Sequence, residues 1–337
     1  MSENKLVNAS IILIGVVVLA LVLKALQSFL RPFVLAIILS FLLMPLIRLS
    51  KKKKIPASIT IIGLILILVI SISSVVSLIV KEGSKIDENA LMQQGHMQGA
   101  INNIQSVLSK ANLNINQFLN PEKINMFAIS LVQSLVQAIG AIFSELFLAI
   151  IFMIFLIPSR EAFMKNVGKN LSKPKMDKFK SAISQTEKSI RDYLRTKSII
   201  SLGTAITSAI ILAFFKADFI FIFALLFFIL NFIPNVGSFV AVGLALVFYI
   251  LTHGLGMNIL WLALLLILVQ ILFGNILEPK IAGDKLNLSP IVILLSLLIW
   301  YWIWGIVGMI LAVPITSIIK IILEHTDKTK KAARLMS

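Results

Sequence analysis

The stretch FFILNFIPNVGSFVAVGLAL, Phe227 to Leu246, decides how this chain is read. It lies inside an apolar run from 219 to 251, yet it carries Asn231, Pro234, Asn235, Gly237 and Ser238. Built as one helix, those 33 residues would extend about 50 Å at 1.5 Å per residue, against a hydrocarbon core about 30 Å thick. Tilt does not absorb that excess comfortably. Pro234 has no amide hydrogen and disfavours helix at Ile233, and Gly237 permits a backbone turn. The segment therefore reads as two short helices meeting at Ile233 to Gly237.

Composition sets the frame. Of 337 residues, 58% are hydrophobic and only 14% charged, where soluble chains run near 25% charged. This is the composition of a membrane protein. The absence of cysteine excludes disulfides, thiolate metal sites and cysteine nucleophiles. His96, His253 and His325 show no metal-ligand spacing. The formal charge of +16 is better explained by Lys and Arg gathered on the cytoplasmic face than by nucleic acid, since no basic stretch carries binding motifs or stacking aromatics. The first apolar run is too long for a signal peptide and has no cleavage site behind it, so it is expected to stay as a span.

Apolar runs long enough to cross fall at about 6–30, 32–49, 55–80, 139–158, 198–215, 219–251, 258–277 and 288–323. The expected fold class is all-α, a polytopic α-helical membrane protein with about eight hydrophobic segments. The expected divisions are N-terminal spans at 1–80, an extracytoplasmic helical insert at 81–138, a span at 139–158, and a cytoplasmic basic amphipathic segment at 159–197. A C-terminal core at 198–323 and a cytoplasmic tail at 324–337 complete the chain. Arg48 and Lys51 to Lys54, the eleven basic residues of 159–197 against four acidic, and Lys328, Lys330, Lys331 and Arg334 mark the inside. The segment 81–138 holds only Lys81, Lys85, Lys110 and Lys123 and is placed outside. Both termini are then cytoplasmic.

Two polar segments carry helical stripes. In the outer one, Met97, Ile101, Ile104 and Leu108 share a face, and so do Ile124, Phe127, Leu131 and Leu135, with Asn112 to Pro121 as the turn between. In the inner one, Phe179, Ile183, Ile190 and Leu194 face one way and Lys and Arg the other. That pattern suits either a helix in the cytoplasmic interface against anionic lipid or a solvated helix packed on the membrane domain.

The last apolar run repeats the opening problem. Its 36 residues contain Gly305, Gly308 and Pro314. With 159–197 and the tail both inside, the crossings between them must be even in number. The runs 198–215 and 258–277 cross once each, so the two broken runs both cross or both turn back, and their lengths favour hairpins. The result is a span and a broken hairpin, then an inverted span and broken hairpin, an arrangement known in secondary transporters. Backbone left open at a break is tolerated in a membrane where it lines a cavity.

Few acids lie near the spans. Glu278, flanked by Gly274 and Pro279 and joining the two repeat elements, is the main candidate for a coupling-ion site, its alternative role being a helix-end charge beside Lys280. Glu145 and Asp218 read as interfacial residues. There is no phosphate-binding Gly-Lys-Ser/Thr loop, no His-Glu-x-x-His and no Gly-x-Ser-x-Gly, so neither an enzyme nor a cofactor is expected.

Four stretches, YLRTKSIIS (Tyr193 to Ser201), NFIPNVGSFVA (Asn231 to Ala241), LEPKIAGDKLNLSP (Leu277 to Pro290) and WGIVGMILAVPITSIIKII (Trp304 to Ile322), resemble the autoinducer-2 exporter family of predicted permeases. The order and spacing match over most of the chain, with the C-terminal block the specific part. The resemblance implies a bacterial inner-membrane exporter of small polar solutes. It also implies that some relatives exchange sodium or lithium for protons. The matching positions are Pro234, Gly237, Glu278, Pro279, Gly283, Pro290, Gly305, Gly308 and Pro314. The chain departs at Asn235, where the family often has an aromatic, and at Ser238, where proline is frequent.

Two functions follow as expectations. One is a secondary transporter of a small hydrophilic solute, with Na+ or H+ and membrane lipid as further partners and homo-oligomerisation left open. Its pathway residues are Asn231, Pro234, Asn235, Gly237, Ser238, Glu278, Pro279, Pro290, Gly305, Gly308 and Pro314. The other is a non-transporting envelope scaffold acting through 81–138 and 159–197, which has no reason to bury Asn231, Asn235 and Glu278 at membrane depth.

Overall fold

The structure is a computed structural model that describes residues 3–83, 99, 102, 106, 121–282, 288–326 and 329–337. Among these residues there is no β-strand, and seven helices are long and apolar enough to cross a membrane. The protein is a polytopic all-α membrane protein. The stripe residues Met97, Ile101, Ile104 and Leu108 of the expected outer helix, residues 112–120 of the expected turn and Gly283 lie outside the described residues.

The helices are α1 (Glu3–Ala25), α2 (Gln27–Lys52), α3 (Ala57–Gly83), α4 (Pro121–Asn170) and α5 (Lys173–Phe214). There follow α6 (Ile220–Leu230), α7 (Val236–His253), α8 (Met257–Gln270), a π-helical segment Ile271–Leu277, α9 (Glu278–Ala282), α10 (Pro290–His325) and α11 (Lys330–Leu335). Helix α5 passes through residue 197 without a break, so the basic segment and the span behind it are one helix. Its surface is inverted relative to a soluble helix. Leu202, Ile206, Ile210 and Phe214 are more than half exposed, while Ser201, Thr204 and Ser208 are completely buried. Apolar outside and polar inside is what a lipid solvent selects.

The chain forms two compact units. The first comprises Met1–Gly63, Ser144–Tyr193 and Lys285–Ser337. In it α10 packs on α1 and α2. Phe152 of α4 meets Phe29 and Phe33 of α2 edge-on, with ring centroids 5.3 and 5.7 Å away. Arg160 and Glu187 pair across the α4/α5 connection.

Helix α10 is two helices joined at a reversal. Gly305 has φ 66° and ψ −146°, a region open in practice only to glycine. A Cβ on Gly308 would overlap the Trp300 carbonyl oxygen and lie 2.8 Å from its carbon. In an unbroken helix eight residues rise about 12 Å, so that contact requires the chain to fold back. The base agrees, because Ser289 donates its amide hydrogen to the Met336 carbonyl at 2.9 Å. The reversal sits at Gly305, and the helix continues through Pro314, which is buried nine positions further on. Trp304 fixes the tip by donating its indole hydrogen to the Leu23 carbonyl at 3.0 Å, at the α1/α2 joint.

The second unit comprises Leu64–Phe143 and Leu194–Asp284. Its α6 and α7 form an antiparallel hairpin. Phe219 and Phe223, on the α6 arm, both pack on Phe248 of α7, with centroids 5.4 and 5.5 Å apart. The arm α6 has 11 residues, about 16 Å of helix, roughly half the hydrocarbon thickness. At the tip Ile233 donates to the Leu230 carbonyl at 2.8 Å and Gly237 to the Ile233 carbonyl at 3.2 Å. The residue with positive φ is Asn235, with φ 60° and ψ −56°. Gly237 serves close approach instead, because a Cβ there would overlap the Leu230 carbonyl oxygen.

Candidate functional site

Within the second unit, the hairpin tip, α5, α7 and the α8–α9 segment enclose a cavity of about 620 Å³. Six residues singled out from the sequence line it: Asn231, Pro234, Asn235, Ser238, Glu278 and Pro279. Asn231 and Asn235 are placed by the break itself, as the residues that end α6 and precede α7. Asn231 is buried, Ser238 half-buried and Asn235 exposed.

Glu278 reaches the site because the helix ahead of it widens. The π-helical turn Ile271–Leu277 follows α8 directly, and such turns re-aim side chains at functional sites. Gln270, Gly274, Asn275 and Glu278 come to line the same wall. Both amide atoms of Gln270 are shielded from solvent and have no hydrogen-bond partner.

The charge facing Glu278 comes from α5. Lys197 Nζ lies 2.5 Å from Glu278 Oε1, the side chains being 5% and 25% exposed. The same ammonium donates to the Asn231 carbonyl at 3.2 Å, an acceptor left without a helical partner at the end of α6. Asn231 in turn donates from Nδ2 to Ser201 Oγ at 3.1 Å, and Ser238 Oγ lies 3.5 Å from Asn231 Oδ1. One chain of polar contacts thus runs from α9 through α5 to the hairpin tip. In a low-dielectric setting an isolated lysine or carboxylate would be costly, and here each faces the other.

The other sequence-chosen residues lie elsewhere. Gly237 is buried behind the tip. Pro290, Gly305, Gly308 and Pro314 belong to α10 in the first unit, where Pro290 opens the helix after the Ser289 cap, whose hydroxyl accepts the Val292 amide at 3.3 Å. Glu145 pairs with Arg31 at 3.1 Å in the first unit. Asp218 sits in the α5/α6 turn beside Lys216 and Phe219, both in left-handed conformation. Among the described residues no group of His, Asp and Glu could hold a metal ion.

The sequence profile described as AI-2E family transporter matches residues 11–328. The chain belongs to the AI-2E transporter family. It is 29% identical to the AI-2 transport protein TqsA of Escherichia coli K12, over 97% of this chain and 95% of that one. It is 27% identical to a putative transport protein of Haemophilus influenzae Rd over 100% and 98% of the two chains. With a putative transport protein of Borreliella burgdorferi it shares 34% identity over 56% of this chain and 52% of the other.

In this AI-2E family transporter, sequence reading missed Lys197 and Gln270. Lys197 was counted among the cytoplasmic basic residues, and Glu278 was set beside Lys280. A periodic signal was present. Lys197, Ser201, Thr204 and Ser208 step by four, three and four, one helical face, and it is the buried face of α5.

Proposed function

We propose that the cavity is the solute site of a secondary transporter that exports a small hydrophilic metabolite or signal, of the autoinducer-2 kind, across the bacterial inner membrane. The observation that supports this most is a cavity that holds a charge pair and several amide side chains at a helix break inside an apolar segment. Open backbone and paired charges at that depth are tolerated where they line a watery cavity. The E. coli relative is named for AI-2 transport, and the amides of Asn231, Asn235, Gln270 and Asn275 offer both donors and acceptors to a hydroxylated solute.

Ion coupling runs through Glu278. A proton or Na+ taken by Glu278 releases Lys197, which remains attached to the Asn231 carbonyl at the hairpin tip. Ion occupancy and tip position are then linked through one side chain. Cytoplasmic placement of both termini is supported by the Lys and Arg distribution. Sodium(lithium)/proton antiport is the second reading, supported by the carboxylate in the cavity.

The test is flux through purified protein in liposomes under imposed sodium and proton gradients, with a panel of hydroxylated solutes. Gradient-driven solute efflux lost in Glu278→Gln supports the proposal. Cation exchange without movement of any solute selects the second reading, and no flux of either kind sinks both.

A further inference from the structure

Helices α5 to α9 and the π-helical segment among them carry four glycines, Gly203, Gly237, Gly243 and Gly274. Two of these have a packing reason to be glycine. A Cβ on Gly203 would overlap the Phe273 ring, and one on Gly237 would overlap the Leu230 carbonyl oxygen. Gly243 and Gly274 differ. Beyond its own helical turn, a Cβ on either would meet no atom within 4 Å, and neither residue has a positive φ. Glycine inside a helix weakens it relative to alanine, so both positions carry that cost with no gain in the packing of the chain.

Both glycines line the cavity of the second unit. Gly243 stands on α7, one turn beyond the cavity residue Phe239. Gly274 stands in the π-helical segment midway between Gln270 and Glu278, with all three on one wall. The charged lining residues are Lys197 and Glu278, which face each other at 2.5 Å, so a charge on a solute would have to compete with that pair.

We propose that Gly243 and Gly274 set the size of the solute, an uncharged polyol whose carbon frame lies against their backbone while its hydroxyls meet the amides of the wall. Glycine is the residue that lets backbone approach a ligand closely. The inference rests on reading the cavity as the solute site, and it adds which residues limit what enters.

The experiment is counterflow of labelled erythritol, ribitol and sorbitol, polyols of increasing length, through the purified full chain in liposomes. The parent is compared with Gly243→Ala, Gly243→Val, Gly274→Ala and Gly274→Val, and thermal unfolding is recorded on the same preparations. The alanine variants should unfold at or above the parent's midpoint, because the added methyl enters open space and favours helix. Each valine variant should lower the ratio of sorbitol to erythritol rates roughly tenfold, about what one misplaced methyl group is worth in a pocket, with alanine in between. Positions on two separate elements keep the test open if one valine variant does not fold. A parental ratio in the folded variants overturns the proposal and leaves the solute-site reading standing. Equal loss of all three polyols also overturns it, since that marks a general effect on the transport cycle. An alanine variant that unfolds below the parent removes the open-space premise. If the parent moves none of the polyols, the solute-site reading fails for this class and the proposal falls with it.

Discussion

Glu278 and Lys197 are unequally buried, at 25% and 5% side-chain exposure, and that inequality predicts the outcome of breaking the pair. Glu278→Gln takes the counter-charge from the ammonium, the more buried partner, and leaves it neutral acceptors such as the Asn231 carbonyl. Removing one partner of a buried pair costs about 3–5 kcal/mol. The Asn231 contact and the partial exposure of the site put this case near the lower end, about 3 kcal/mol. Lys197→Met leaves a carboxylate that cavity water can reach and removes one charge-assisted hydrogen bond, about 2 kcal/mol. The double variant Lys197→Met/Glu278→Gln leaves no stranded charge. It should be more stable than Glu278→Gln alone, with a coupling energy of roughly 3 kcal/mol.

The assay is thermal unfolding of the three variants and the parent in one detergent at one protein concentration. Glu278→Gln should lower the midpoint by roughly 5 °C, taking the smaller shift per kcal/mol expected of a long chain. Adding Lys197→Met should recover part of that loss. Strictly additive shifts would mean that the ammonium and carboxylate do not sense each other, and the account of the cavity as charge-paired would fail. Transport separates stability from coupling, because the double variant should fold yet lose gradient-driven flux.

Other consequences follow from the tips and the charge pattern. Gly237→Val should cost about 3 kcal/mol and block transport, since its Cβ would sit 2.6 Å from the Leu230 carbonyl carbon; near-parental expression and flux would refute the close-approach argument. Asn235→Cys and Ser238→Cys should react with a small hydrophilic thiol reagent, more slowly when a transported solute is present, and silence at both positions would mean a tip sealed in lipid or protein. In intact cells, Ser172→Cys and Ser337→Cys should resist an impermeant reagent until the membrane is opened; labelling of Ser172→Cys from outside would reverse the proposed orientation.

Local rules made the breaks legible. Chain length against bilayer thickness, with Pro234 and Gly305 as punctuation, marks both hairpins in the sequence. The position of each turn within its break was harder to read. Gly237 reads as the flexible residue, but the positive φ falls on Asn235, and Gly237 is small because a carbonyl lies against it. Both residues occupy one tight turn, and only the packed backbone separates their roles. Pro314 read as a breaker although a helix can pass through proline in a membrane when neighbouring groups satisfy the freed carbonyl. Lys197 was hidden for a different reason. The positive-inside rule counts lysines without regard to the side they face, and this one turns into the fold on the face that carries Ser201, Thr204 and Ser208.

The two hairpins share a backbone solution and differ in chemistry. Each closes by setting a glycine of its second arm on a carbonyl in the last turn of its first, Gly237 on Leu230 and Gly308 on Trp300. The α10 tip is then held by Trp304 bonding to the Leu23 carbonyl, with Lys24 over the Trp302 ring at 4.3 Å. Its side chains at the turn are aromatic, and they anchor it. The α6/α7 tip presents Asn231, Asn235 and Ser238 to a cavity, and it is held there through Lys197, a group whose second partner is itself titratable. A hairpin anchored by indole and backbone has little to release it. A hairpin tied through Lys197 would lose the link to Glu278 on neutralisation of the carboxylate and keep only the hydrogen bond at the Asn231 carbonyl. If one tip moves during transport, the energetics of the attachments select the α6/α7 tip, and the α10 tip is the fixed one within its own unit.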